Sequence, residues 1–182
     1  TDNSVIAELD DSPGRGLAVL DVSPIAGDQR ILVGHERHGH DQLGIWDLRA
    51  GTFTELRIDL PGDLDGCFTA DGDGVVLLHT FRARTSVHRY DPATGVLRSV
   101  PAARGVVSGV VARRDGSLWY RHSSAEHGAA VRVLRPDGTD EPLLIPPDGG
   151  PADSVPVRDL WVDGPGGRIH ALLARPFERP DG

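Results

Sequence analysis

No lysine and no methionine occur in this chain, cysteine occurs once, and aromatic residues make up only 5% of it. Each shortage excludes something. With Cys67 alone there is no intrachain disulfide and no zinc-thiolate site, and a reducing, cytoplasmic compartment is the natural expectation. The missing lysine leaves all 19 basic residues as arginine, which reads as the codon bias of a GC-rich genome. The missing methionine leads to the expectation that these 182 residues are a piece of a longer chain. Apolar runs such as Val75–Leu78 fall far short of the roughly 20 residues that span a bilayer, and no secretory signal pattern is visible. The 27 acidic residues outnumber the 19 basic ones, giving a net charge of −8. That balance disfavours nucleic acid and anionic membrane as partners. Apolar periodicity of 3.6 residues is absent throughout, so helix content near nil is expected.

What is present is a repeat. Three segments share one plan: an Asp/Gly-rich turn, a β-rich run, a polar loop, a second β-rich run, and a turn closed by glycine. The first copy reads SPIAGDQ (23–29), RILVGHE (30–36) and LGIWDLRAGTFTEL (43–56). The second reads TADGDG (69–74), VVLLHTF (75–81) and VHRYDPATGVLRSV (87–100), and the third ARRDG (112–116), SLWYRHS (117–123) and VRVLRPDGTDEPLL (131–144). Trp46, Tyr90 and Leu134 recur 44 and 44 residues apart, and Gly51, Gly95 and Gly138 recur 44 and 43 apart. A period near 44 is that of four-stranded propeller blades. The fold expected is all-β: a partial β-propeller of about three four-stranded blades over 1–145, with inner strands at 17–22, 64–69 and 106–112. Residues 4–9 are expected as the outer strand of a preceding blade. The glycines sit where tight hairpins need positive φ, and Pro92 and Pro136 open two of the same turns, where a missing N–H costs no ladder bond.

The repeat breaks at PPDGGPADSVP (146–156), a linker by composition. Residues 157–176 then read as one hairpin turning at Asp163–Gly167. The stretch WVDGPGGRIHALLARPFERPDG (161–182), a strand, a DG turn, and a strand with a proline-containing tail, resembles the junction between propeller and α/β-hydrolase domain in prolyl oligopeptidase-type serine peptidases. The resemblance implies that residues 157–182 lead into a hydrolase domain absent from this sequence. That domain would carry Ser, Asp and His in their catalytic roles, with a G-x-S-x-G nucleophile elbow and an HGG-type loop. Neither motif occurs here, so no catalytic residue is assigned, and no metal or other cofactor is expected. The implied job is to gate the active site and position peptide substrate. The implied partners are the remainder of the peptidase, or a second copy, covering the blade faces that an incomplete ring leaves open.

The candidate substrate contacts come from the loops between second and third strands: RHGHDQ (37–42), RARTS (82–86) and HSSAEHGA (122–129). Repeat geometry puts these on one face and lines it with Arg37, His38, Arg82, Arg84, His122 and His127, a rim suited to peptide carboxylates. HERHGHDQ (35–42) has the composition of a metal site, yet as a glycine-rich hairpin loop its histidines need only be solvated. Ser108 lacks a nucleophile elbow, Cys67 reads as inert core, and Trp46, Trp119 and Trp161 read as blade-packing aromatics. Two rival readings remain: a non-enzymatic protein-binding propeller, and a metal-centred lactonase-like propeller whose only inward carboxylates would be Asp21 and Asp65.

Overall fold

The computed structural model describes residues 4–10, 16–125, 127–145, 155 and 157–174. Among them there is no helix, and fourteen strands form three four-stranded antiparallel sheets and one hairpin. The first blade is β1 (Leu17–Val22), β2 (Arg30–His35), β3 (Gln42–Asp47) and β4 (Thr52–Glu55). The second is β5 (Asp63–Phe68), β6 (Val75–Phe81), β7 (Arg84–Asp91) and β8 (Val96–Val100). The third is β9 (Val106–Ala112), β10 (Leu118–Ser123), β11 (Ala130–Leu134) and β12 (Asp140–Leu144). Each sheet runs in chain order from inner to outer strand, which makes the three together a partial β-propeller. Gly51, Gly95 and Gly138 close the third-to-fourth-strand turns at φ 66°, 71° and 89°, a conformation that costs glycine little.

The middle blade shows why its sequence does not alternate. Val75 and Leu77 face the first blade, in a core with Leu32, Leu43, Leu64, Phe68 and Tyr90. Val76 and Leu78 face the third, with Cys67, Val87, Val107, Val110 and Tyr120. A sheet buried on both faces needs an uninterrupted apolar run, and VVLL supplies it. In the third blade β10 alternates instead, with Tyr120 and His122 buried and Trp119 and Arg121 exposed on its open face.

Polar stitches join the blades. Asp21 Oδ2 accepts the Phe68 N–H at 2.9 Å. Arg30 donates through Nε and Nη2 to Asp28, and through Nη2 to Gly72 O at 2.9 Å. The Tyr120 hydroxyl donates to Asp140 Oδ2 at 2.5 Å and accepts the Ala103 N–H at 3.1 Å, tying the incoming linker to the outer strand.

Three expectations need correction. Residues 4–10 form no strand, and Val5 and Ile6 are exposed, because no described strand pairs with this segment to take its N–H and C=O groups. The segment 82–86 is not a loop: Arg82 and Ala83 make a two-residue turn, and Arg84 already pairs with Phe81 in the ladder. His122 and Ser123 belong to β10, so that loop begins only at Ser124. The final hairpin is observed as β13 (Val157–Gly164) and β14 (Gly167–Ala174), paired in continuous register from Val157↔Ala174 to Gly164↔Gly167. Most of the 146–156 linker and all of 175–182 lie outside the described residues.

Candidate functional site at the loop end of the blades

The loops between second and third strands share one end with the crossings from blade to blade. Leu64 N donates to Asp41 O at 2.9 Å, and Thr85 N to Gly105 O at 3.0 Å, so each loop grips the start of the next blade. At the first loop the Arg37 guanidinium lies 4.6 Å from the Phe53 ring centre. His38 Nε2 bonds Glu55 Oε1 at 2.7 Å, and His40 Nδ1 bonds His38 O at 3.2 Å. His35 is buried in the sheet with its ring edge-on to that of His38 at 6.3 Å, and among the described residues no cluster of three or more His, Cys, Asp or Glu is placed to hold a metal. A shallow groove of about 420 Å³, lined by His38, His40, Gln42, Glu55 and Asp59, runs beside this loop.

His122 is buried. Its Nε2 faces Arg104 O at 2.9 Å, and since a carbonyl only accepts, that nitrogen carries the proton. His79 does the same to Pro61 O at 2.6 Å in the second blade. Both carbonyls precede a glycine, and both glycines are required. A Cβ on Gly62 would fall 2.5 Å from Thr80 O, and one on Gly105 2.4 Å from Ser123 O and 2.6 Å from the His122 ring. His35, His79 and His122 are thus a repeat position, 44 and 43 residues apart. Sequence reasoning passed over this signal, although its spacing matches that of Trp46, Tyr90 and Leu134. The two rings observed clipping a carbonyl fasten the linkers between blades. In the second blade the arrangement extends: His79 Nδ1 accepts from Ser86 Oγ at 3.2 Å, and His88 Nε2 lies 2.9 Å from the same oxygen. Burial, and then the neighbouring His79, holds His88 below the ordinary imidazole range.

Arg82 and Arg84 reach the final hairpin. The Arg82 guanidinium sits 4.7 Å from the Phe81 ring centre and 4.6 Å from that of Trp161. Arg84 Nη1 donates to both oxygens of Asp159, at 2.7 and 3.0 Å. His170 Nε2 bonds the same carboxylate at 2.8 Å, and the two partners, Arg84 first, hold Asp159 below the usual carboxylate range. Trp161 therefore docks the hairpin rather than packing inside a blade, and Trp119 lies under Arg113 on the third blade's open face. His127 is exposed in the last loop, where its N–H donates to Ser124 Oγ at 2.9 Å. Of the six candidate contacts, Arg37, His38 and His127 stand at the loop end. Arg82 and Arg84 are engaged by the hairpin, and His122 is inside the blade.

Cys67, buried between second and third blades, has its thiol pushed up to about 11 by burial, so it stays protonated and unreactive at neutral pH. Asp21 and Asp65 spend carboxylate oxygens on backbone N–H groups of Val22, Phe68 and Gly66.

Against known proteins, no family model and no curated sequence matches this chain. Solved structures do. A puromycin hydrolase matches with a TM-score of 0.66 at 16% identity, over 88% of this chain and 25% of that one. The likeness is one of fold, shared with hydrolase and peptidase structures and with TolB. One structure from a study of two prolyl endopeptidases matches at TM-score 0.62 and 15% identity, over 91% of this chain and 25% of the other. TolB from Acinetobacter baumannii matches at 0.61 and 15%, over 87% of this chain and 41% of that one. The chain spans less than half the length of each.

Proposed function

We propose that this chain is the propeller portion of a prolyl oligopeptidase-like serine peptidase, non-catalytic in itself, which gates access to a hydrolase domain and positions peptide substrate. The observation that carries the reading is the order of parts: blades with the fold of such peptidases, followed by a hairpin seated at their loop end. Arg37, His38 and His127 stand at that end, where a peptide would pass. Arg82 and Arg84 join them only when the hairpin moves away. The open faces of first and third blades, with Val19, Val22, Val106 and Val111 exposed, suit coverage by the rest of the peptidase or by a second copy. A cytoplasmic location fits the single unpaired Cys67.

The test is fluorophosphonate labelling of the source preparation, followed by intact mass and peptide mapping. Label on a polypeptide that contains these residues together with a G-x-S-x-G segment is the expected result. A preparation holding only a chain of this length, with no label, would sink the reading. The exposed apolar faces of the first and third blades also suit a second reading, a non-enzymatic propeller that binds a protein, and that outcome would support it.

A further inference from the structure

Arg82 and Ala83, with φ of 54° and 56°, are the only non-glycine residues with left-handed backbone among the described residues. They are consecutive and close the β6–β7 hairpin, a turn that Asn-Gly fits with little strain and that side chains with an ordinary Cβ resist. Within the blade, arginine at this place meets the ring of its neighbour Phe81. The arginine side chain gains a position: its guanidinium is held between Phe81 and Trp161, at 4.7 and 4.6 Å. Two residues on, Arg84 grips Asp159. On the hairpin side Trp161 also receives Arg168, 5.1 Å from its ring centre, and stacks at 5.0 Å on His170. No backbone hydrogen bond joins β13 or β14 to a blade among the described residues, so the recorded polar and cation–π contacts are side-chain contacts at this turn.

We infer that the β6–β7 turn of the second blade is a latch: its strained, glycine-free conformation is kept because it presents Arg82 to Trp161, and hairpin docking engages both Arg82 and Arg84. With the hairpin seated, the two guanidiniums are taken by an aromatic ring and a carboxylate of the same chain. With it released, the loop end of the second blade offers two free cations. The hairpin thereby decides the charge that this end presents.

Thermal unfolding and amide hydrogen exchange on the whole chain test this. Ala83→Gly relieves strain and leaves Arg82 in place, so the melting temperature rises and exchange in β13 and β14 stays as in the parent. Arg82→Asn also raises the melting temperature, yet speeds hairpin exchange about tenfold or more as the latch opens. Trp161→Leu speeds exchange similarly without raising the melting temperature, and the Arg82→Asn/Trp161→Leu pair adds nothing beyond either change alone. Unchanged hairpin exchange in Arg82→Asn would overturn the latch. So would a lowered melting temperature in that variant, since the turn would then serve the blade, or full additivity in the pair, since the two side chains would then act separately.

Discussion

The seams between blades and the seat of the hairpin are two solutions to holding one β element against another. At each seam, buried apolar side chains meet across strands, backbone N–H groups cross from blade to blade, and half-buried carboxylates and histidine rings fix strands and linkers. At the hairpin seat the recorded contacts come from exposed guanidiniums, a carboxylate and indole and imidazole rings. Burial is non-directional and is not weakened by charge screening, whereas exposed ion pairs are screened and weak. The seams are therefore built to persist, and the hairpin seat to open. Breaking each in turn separates them.

The largest effect is expected at a seam. Leu77 is fully buried between first and second blades, and Leu77→Ala should lower unfolding stability by about 3 kcal/mol, read from the urea midpoint. Next comes the polar stitch. Asp28, held far below the usual carboxylate range chiefly by Arg30 and then by Ser23, contributes stability above an ordinary carboxylate pKa of about 3.9. That contribution is lost as pH falls toward its folded value. Asp28→Asn should cost about 1–2 kcal/mol at neutral pH and flatten the acid side of the stability profile. A smaller effect belongs to Cys67. Its raised pKa leaves stability intact below its ordinary 9.0 and erodes it as pH rises through about 11. Cys67→Ala should remove that alkaline slope, and a slope unchanged by the substitution would assign it to other groups. Smallest on global stability is the seat: Arg84→Ala, or high salt, should leave the melting temperature nearly unchanged while hydrogen exchange rises in β13 and β14 alone. A drop in global stability from Arg84→Ala would erase the contrast between seam and seat.

Much of the fold was legible along the chain because blade structure is local. Each strand pairs with its sequence neighbour through short turns, and Gly51, Gly95 and Gly138 mark positions where backbone sterics favour glycine. The site was less legible. Arg82 and Arg84 read as loop-end cations, but their partners lie at Trp161 and Asp159, and nothing in composition or spacing links residues 75 or more positions apart. The sequence does contain the interval joining His35, His79 and His122, but only the carbonyls at Pro61 and Arg104 reveal what such a ring is for. His122 reads as a loop residue for a related reason: a polar side chain at a strand end looks solvent-facing until the ladder shows which face it takes. What the sequence determined by itself was the repeat, its strands and its turns, since these follow from backbone sterics and period-two burial within a few residues. Only the tertiary structure decided which polar side chains are clips inside the blades, which stand at the loop end, and which are taken by the hairpin, because those outcomes depend on groups brought together across blades.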